Sequence, residues 1–573
     1  MFGMFKSNEN YEFDNSSIIA DNFILLSYVD TSYGKGLYLL GTDTQKKKFK
    51  LIISSSKSKI YKDIALENIV NINPITINNS LVFFVVQDCG DKDGDKNDGM
   101  VDGGKDDGDM RDNVNINDNA NDNNHTNNNH SNNTNDKHTN TSNTSLTAIL
   151  NNKTNHINKT YKLGYVEIKE NKLYYNSLNK VSNVIPSIIE QNNRVSIIGM
   201  YNGECFIKDI NGSEYATDWK LGKNHSFSYL RIDDKDIFIF LETKNTGKSI
   251  NFYTNDKKKI YNSIVIKEDI SNFIISDFDS NGIIDIAYIT LSGDTPYLVI
   301  HMNVNSKKYY EYRRTFKDLG LNDGCAIDGG KFYVIDTTSD GYPDIFIITA
   351  KKELRLLKNI QDGNKRKFEY KPLKGEIMHK RNIESICTFK MNGKYAIVVN
   401  YNSGEECDLI AYENIMLKNK LRLILNTTRL KRYDLMHYNV TYRFLANDSL
   451  RIGYQAIQTS YINLYNYSFI GLGGKNKELM DLEVYVPYKN RKYLIPSRII
   501  PNSELYIQPV KNNDSPRIDL FLTLGEYKYL VAIIMIGILI LNMITVLFLC
   551  LKEKRRREKI KKEEVNQFNF EAL

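Results

Sequence analysis

Residues 273–290 read FIISDFDSNGIIDIAYIT, in which two apolar runs flank a short acidic loop. Oxygen ligands are available at loop positions one, three, five, seven (a backbone carbonyl) and nine: Asp277, Asp279, Asn281, Ile283 and Asp285. Calcium takes about six to eight oxygens from a sharply turned chain, and this spacing can supply them. Gly282 provides the turn, because it has no Cβ to oppose a positive φ. The flanks are rich in β-branched and aromatic residues and are predicted to be strands.

The pattern returns in residues 331–349, KFYVIDTTSDGYPDIFIIT, where the loop begins 59 residues after the first one. The ligand positions are now held by Asp336, Thr338, Asp340, Tyr342 (its carbonyl) and Asp344, with Gly341 at the turn. A single acidic loop in an Asp-rich chain can be an ordinary Asx turn. Two loops in matching phase favour metal binding, and a repeat of this period is typical of a propeller or a solenoid.

The two loops resemble FG-GAP repeats, which occur in the propellers of integrin α-subunits. The resemblance implies a mainly β fold whose first domain is an integrin-α-like FG-GAP β-propeller with seven blades, each about one four-stranded repeat. It also implies that the bound Ca²⁺ is structural rather than catalytic.

Composition supports a large β protein and argues against nucleic acid as a partner. The chain has 573 residues, 38 Tyr, 25 Phe and a net charge of only +7, so no large basic surface is expected. Six cysteines are present, without zinc-ligand spacing. Cys387 and Cys407 could join one hairpin if this part of the chain lies outside the cytosol; otherwise they are unpaired thiols.

Changes of pattern along the chain predict four regions. Residues 18–407 are interpreted as the propeller, interrupted at 88–160 by an insert of Asp, Asn, Gly, Thr and His that has too few apolar residues to fold. Longer strand patterns at 408–524 predict a membrane-proximal, β-sandwich-like domain. Residues 529–551 form an uncharged apolar run, long enough as a helix to cross a bilayer.

The basic tail, residues 552–573, sets the expected orientation. It carries eight Lys or Arg directly after the apolar run, and the positive-inside rule places such an end in the cytoplasm. The preceding residues would then be lumenal or extracellular, in the plasma membrane or the secretory pathway. The tail could bind anionic lipid or a cytosolic partner.

The first residues of the sequence conflict with that orientation. Residues 1–17 lack the apolar core of a signal peptide. Either the true start is missing, or the chain inserts by its tail and the large domain stays in the cytosol. We favour a missing start, because extracellular calcium modules bind with affinities of order 10⁻⁴–10⁻³ M, too weak for resting cytosolic calcium.

A closer resemblance emerges from the C-terminal third. The runs FIGLGG (469–474), IIPNSELYI (499–507) and NQFNFEAL (566–573), with the acidic loops and the single span, look like the T-cell immunomodulatory protein family, also called LINKIN. The family implies a type I cell-surface glycoprotein with a propeller ectodomain, which acts in cell adhesion and, when shed, in T-cell immunomodulation. The chain departs from the family in its missing signal peptide and its fewer intact loops.

Glycosylation sequons are plentiful outside the insert: Asn15, Asn78, Asn211, Asn224, Asn426, Asn439, Asn447 and Asn466. Many are accidental in an Asn-rich chain. Two or three of the four between 426 and 466 are expected to carry glycans, because that part is predicted to lie next to the membrane on its outer side.

The function expected from these features is binding rather than catalysis. No GxSxG, HExxH, Walker or post-strand GxGxxG motif is present, so the chain is predicted not to be an enzyme. The first hypothesis is a membrane-anchored adhesion or binding protein that presents propeller loops to a protein partner. A secretory-pathway scaffold is the alternative, and a lectin or hydrolase acting at the propeller mouth is a weaker one.

Overall fold

The structure is a computed structural model that describes residues 12–571, apart from residues 90–159 and loop segments of at most six residues. It is mainly β, with small antiparallel sheets and one C-terminal helix, which agrees with the prediction of a mainly β protein with an apolar C-terminal helix. The insert predicted at 88–160 lies almost entirely outside the described residues. Its ends meet, because the Cys89 N–H donates to the carbonyl of Thr160 at 2.9 Å.

Six antiparallel sheets, numbered 1–6, follow one another along the chain, and each is built on four consecutive strands. Sheets 1–3 contain β2 (Ile24–Thr31), β3 (Gly36–Thr42), β4 (Lys48–Ser54), β5 (Lys59–Ala65); β6 (Ile69–Ile77), β7 (Ser80–Asp88), β8 (Tyr161–Lys169), β9 (Lys172–Ser182); β10 (Ser187–Gln191), β11 (Arg194–Tyr201), β12 (Glu204–Asp209) and β13 (Glu214–Lys220). Sheets 4–6 contain β14 (Lys223–Ile232), β15 (Lys235–Lys244), β16 (Gly247–Thr254), β17 (Ile264–Ile266); β18 (Phe273–Ser276), β19 (Asp285–Ser292), β20 (Thr295–Met302), β21 (Tyr310–Thr315); β22 (Ile327–Ile335), β23 (Asp344–Thr349), β24 (Leu354–Asp362) and β25 (Lys365–Lys371).

Sheet 7 joins the two ends of this region. It contains β27 (Ile383–Met391), β28 (Lys394–Asn402) and β29 (Cys407–Asn414), and its next strand is β1 (Glu12–Asp21) from the N-terminal end of the described chain. β1 pairs antiparallel with β29, and the short β26 (Lys374–Gly375) lies parallel to β1 on its other side. The boundary predicted at 407/408 therefore falls inside a strand. The seven-sheet region spans residues 12–414.

Burial differs between the strands of sheets 5 and 6. All side chains of β18 and β23 are buried, whereas the outer strand β25 alternates between buried and exposed side chains over its first five residues. A strand with both faces covered reads as a continuous apolar run, and a strand with one solvated face alternates. β18 and β23 therefore have both faces covered, whereas β25 has one face open to solvent.

Consecutive sheets share hydrophobic cores through the whole region. The pairs 1–2, 2–3, 3–4, 4–5, 5–6 and 6–7 each contribute side chains to one common cluster of buried residues. The first strand of sheet 1, β2, also contacts β27, β28 and β29 of sheet 7. The first and the last sheet of the series therefore pack against each other.

Residues 421–522 form two further sheets that pack on one core, and we call them the two-sheet region. One sheet contains β30 (Leu421–Arg429), β31 (Arg432–Met436), β36 (Ser468–Gly473), β39 (Ser503–Gln508) and β40 (Arg517–Leu522); the other contains β32 (Val440–Ala446), β33 (Ser449–Gln455), β37 (Leu479–Val486) and β38 (Arg491–Ile495). Leu423 and Leu505 from the first meet Tyr442 and Val484 from the second. A small hairpin, β34 (Gln458–Thr459) with β35 (Ile462–Asn463), leaves this region and pairs with β14 of sheet 4.

Two of the four sequons among which two or three glycans are expected are buried in the two-sheet region. Asn426 is 5% exposed and Asn439 is 1% exposed, which leaves no room for a sugar at either position. Asn447 and Asn466 lie outside the described residues. Cys387 is a free thiol, so the proposed link to Cys407 is absent.

The C-terminal helix α1 (Lys528–Glu571) is long and apolar enough to cross a membrane. Its large apolar side chains are exposed from Val531 to Leu551, as lipid contact requires. The helix continues through the basic tail. The Lys, Arg and Glu residues there are good helix formers, and Arg557 pairs with Glu553 one turn away at 3.3 Å.

Candidate metal centre

The first acidic loop connects β18 to β19, as predicted. Its turn is stabilised by hydrogen bonds to the side chain of its first aspartate, Asp277. Asp277 Oδ1 accepts the N–H of Asn281 and its Oδ2 accepts the N–H of Gly282, both at 3.0 Å. Ser280 and Gly282 adopt positive φ angles of 54° and 78°. The predicted role of the glycine in the turn is confirmed.

The other carboxylates of this loop link it to Asn303, which directly follows β20. Asp285 accepts the N–H of Phe278 and that of Asn303, each at 2.7 Å. Asp279 Oδ2 accepts the side-chain amides of Asn281 at 2.8 Å and of Asn303 at 3.0 Å. The Asn281 Oδ1 accepts the N–H of Ile283 at 2.8 Å.

Three carboxylates converge here. One oxygen each from Asp277, Asp279 and Asp285 lie within 4.8 Å of one another. Burial, and then the charge of Asp279, raises the pKa of Asp277 to about 7. Burial, together with its two acidic neighbours, raises the pKa of Asp285 well above its ordinary value. Asp279 Oδ1 is buried with no hydrogen-bond partner. An oxygen cluster with an orphaned carboxylate atom fits a hard divalent cation such as Ca²⁺.

The second acidic loop connects β22 to β23 and repeats the backbone of the first. Asp336 accepts the N–H groups of Asp340 and Gly341 at 3.2 and 2.8 Å, and Ser339 and Gly341 have φ angles of 50° and 88°. Asp344 accepts the N–H of Thr337 at 3.1 Å and that of Asn359 at 2.9 Å. The two loops are therefore structural equivalents, with Asn359 matching Asn303.

A lysine distinguishes the second loop from the first. Lys358 Nζ lies 3.0 Å from Asp340 Oδ2 and 3.2 Å from Asp344 Oδ1, and it also donates to Thr338 Oγ1. Its side chain is only 4% exposed. Burial alone would lower the pKa of Lys358, but the carboxylates of Asp344, Asp340 and Asp336 outweigh it and raise the pKa. The ligand set predicted for calcium already holds an ammonium group, so these residues do not fit a bound Ca²⁺.

The two-sheet region lies directly against both loops. The Ile452 N–H of edge strand β33 donates to Asp277 Oδ2 at 3.2 Å. The Gly473 N–H donates to the carbonyl of Ser339 at 2.7 Å. Arg451 donates to the Gly471 carbonyl at 3.0 Å and faces the ring of Tyr342, 5.7 Å from its centre. Tyr342 is also covered by Arg366, at 3.6 Å.

A glycine is needed at position 341 for two reasons: its φ is positive, and the two-sheet region packs closely against it. A Cβ at Gly341 would collide with the Arg451 guanidinium and lie 2.7 Å from the carbonyl of Gly471. Gly341→Ala is expected to cost about 1–2 kcal/mol in backbone strain and about 1–3 kcal/mol more in overpacking. Thermal and denaturant melting of the purified full-length protein would measure both.

Gly363→Ala is the matched control for this substitution. Gly363 also has a positive φ, 60°, but a Cβ there would meet nothing within 4 Å. Gly363→Ala should therefore lose only the part of the stability that comes from backbone strain. Equal losses in the two variants would mean that the two-sheet region does not press on the second loop.

Sequence reasoning missed Asn303, Asn359 and Lys358, because they lie one strand beyond each loop. The sequence signal is weak: an Asn follows the third strand of the repeat in HMN and lies in that strand in LKN, but it comes 18 residues after the last loop aspartate in the first repeat and 15 in the second. The pairing of the third strand with the second, rather than the sequence spacing, places Met302 and Lys358 at the same position, next to Asp285 and Asp344. Of these two repeats, only the second therefore has a lysine side chain at this position, next to its acidic loop.

Comparisons with known proteins do not place the chain in a family. No protein-family model matches it, and no curated protein matches it significantly. A solved structure described as a 6-phosphogluconolactonase from Bacteroides uniformis is similar at 11% identity and a TM-score of 0.33, covering 67% of this chain and 90% of that chain. A prolyl endopeptidase structure is similar at 7% identity and a TM-score of 0.30, covering 67% of this chain and 47% of that one. At these TM-scores the two likenesses are too distant to bear on fold or function.

Proposed function

We propose that this chain is a membrane-anchored binding protein whose seven-sheet region is a calcium-stabilised FG-GAP β-propeller. The observation that carries the proposal is the first acidic loop, where three carboxylates converge between two strands and one oxygen is left orphaned. Seven small sheets that share cores in sequence support the blade count. The likeness to the LINKIN family supports a type I adhesion or immunomodulatory role.

The edge of the propeller that would bind a partner follows from the position of the two-sheet region. That region contacts the acidic loops, and α1 begins shortly after its last strand, β40. The β19–β20 turn lies at the other end of β19, roughly 25 Å away for eight residues at about 3.3 Å each. Ser292 and Gly293 there are exposed. The insert connects β7 to β8, the second and third strands of sheet 2, as the β19–β20 turn connects the second and third strands of sheet 5. Turns on a rigid scaffold facing away from the anchor are suited to a protein partner.

The proposal also includes orientation and the absence of catalysis. The basic residues after Leu551 would face the cytoplasm, with the propeller lumenal or extracellular. The metal would hold the loop against strand β33, a structural task. A secretory-pathway scaffold is the alternative, in which the same molecule never reaches the cell surface.

Calcium is expected to stabilise the full-length protein in detergent. With roughly 2 mM Ca²⁺ and a Kd of order 10⁻⁴ M, binding to the folded state alone should add about 2 kcal/mol, a rise in Tm of a few degrees. On intact cells, a membrane-impermeant cross-linker should capture a protein partner in calcium medium and capture less of it in chelator.

Asp279→Asn should abolish both effects of calcium, because it removes one of the three clustered charges. Asp63→Asn is the control, since Asp63 forms an exposed pair with Lys48 at 3.4 Å, far in sequence from the loops. Identical melting in calcium and in chelator would contradict the metal site. Cross-linking only after permeabilisation would favour the scaffold.

A further inference from the structure

We infer that Lys358 takes the place of the metal ion in the second acidic loop, so that of the two loops only the first, with Asp277, Asp279 and Asp285, binds Ca²⁺. The inference rests on the proposed calcium site in the first loop, but the two can fail separately. It replaces the expectation of two calcium loops with one metal and one built-in cation.

The first step is the equivalence of the loops. In each, the first aspartate accepts two loop N–H groups, and the last aspartate accepts one N–H from its own loop and one from an asparagine on the third strand. The residue before that asparagine therefore occupies the same place in both sheets. It is Met302 in sheet 5 and Lys358 in sheet 6.

The second step is charge. Each loop carries three aspartates, since Asp340 stands where the first loop has Asn281, and Thr338 stands where it has Asp279. Met302 is fully buried among apolar side chains and contributes nothing to the first cluster. Lys358 directs its Nζ at three of the ligand side chains that the second loop would use for calcium: Thr338, Asp340 and Asp344.

The third step is exclusion. Calcium lies about 2.3–2.6 Å from its oxygen ligands. An ion bound to the oxygens of Asp340 and Asp344 would sit against an ammonium that is 3.0 and 3.2 Å from those same oxygens. Two like charges cannot share that space, and the side chain of Lys358 is buried, so it has no exit to solvent without local opening.

The test is a reciprocal exchange at the equivalent positions. Calcium binding to full-length protein in detergent is measured by equilibrium dialysis at millimolar Ca²⁺, with Tm recorded in calcium and in chelator. From the two loops we expect one ion per chain in the wild type, two in Lys358→Met and none in Met302→Lys. The Tm of Lys358→Met should depend on calcium more steeply than that of the wild type, because both loops then need the ion.

Lys367→Met is the matched control, because Lys367 is 45% exposed and lies on the outer strand of the same sheet. It should bind one ion, like the wild type. Two ions per wild-type chain would overturn the inference and leave the proposed function standing. No ion in the wild type would contradict the proposed metal site, and a single ion gained by Lys358→Met would still support the role of Lys358. Should Lys358→Met fail to fold, the stoichiometries of the wild type and of Met302→Lys decide: one and none support the inference, two in the wild type overturns it.

Discussion

A protein that lacks residues 1–21 is expected to lose cooperative folding of its seven-sheet region. These residues include β1, which completes sheet 7 by pairing with β29 at six positions. At about 1 kcal/mol for each backbone hydrogen bond, with about one bond for each paired position, the loss is roughly 6 kcal/mol, a large part of the stability of an ordinary domain. It would also leave β29 as an uncovered edge, open to aggregation.

The expected outcome is measured by circular dichroism melting of the truncated protein in detergent, compared with the full chain. A synthetic peptide of residues 12–21 should restore the transition in trans, because an exposed sheet edge accepts an extended peptide as a new strand. A scrambled peptide of the same composition is the control, since it keeps charge and hydropathy but not the register. Unchanged melting of the truncated protein would show that β29 does not need β1.

The acidic loops could be predicted from sequence because each completes its turn within nine residues. Asp277 and Gly282 are close in the chain as well as in space, so spacing alone indicates the geometry. The same is true of the strand patterns and of the apolar run at 529–551, whose hydropathy needs no partner to be recognised.

The features that could not be predicted are made by residues far apart in the chain. Lys358 reaches Asp344 from 14 residues away, across a strand and a turn, and no local pattern marks its direction. The closure by β1 joins residues near 12 to residues near 414, and so the propeller was predicted to begin at residue 18 and to end at 407. Sequence periodicity reports which face of a strand is buried, not which strand lies beside it.

The contact between the two-sheet region and the loops was missed for the same reason. The prediction placed a separate β domain next to the membrane, and the structure packs it onto the edge of the sheets where both acidic loops lie. Gly341 and Gly282 each serve the turn and leave space for that region, at Arg451 and Leu450 respectively. The sequence explains each glycine by the turn alone, but the fold also requires it for close packing against the two-sheet region.

Replacing Glu190 by glutamine is expected to lower the free energy of unfolding by about 3–5 kcal/mol, the usual cost of removing one partner from a buried ion pair. Glu190 is the next-to-last residue of β10 in sheet 3 and is fully buried. It accepts the Nδ1–H of His437 at 2.9 Å, the N–H of Tyr438 at 2.8 Å and the Arg429 guanidinium at 3.3 Å, all from the two-sheet region. A glutamine amide would turn a donor toward one of these donors and leave Arg429 without its counter-charge.

Lowering the pH should test the contribution of Glu190 to stability without a mutation. Burial alone would raise the pKa of Glu190, but His437, Arg429 and the Tyr438 N–H together hold it below its ordinary value of 4.5. A carboxylate whose pKa is lower in the folded state stabilises above the unfolded value and loses that contribution as the pH falls through the folded one. Wild-type stability should therefore fall below pH 4.5 more steeply than that of Glu190→Gln, when both are followed by denaturant melting across pH.

Glu369→Gln provides the matched control, because Glu369 is 48% exposed and pairs with Lys371 at 3.1 Å on the outer strand of sheet 6. Its loss should stay within about 1 kcal/mol, as for other surface pairs. Limited proteolysis separates an interface effect from a global one: if Glu190 joins the two regions, cleavage between residues 414 and 421 should accelerate in Glu190→Gln before the seven-sheet region melts. Equal stability of the two variants would mean that the buried cluster does not hold the two-sheet region in place.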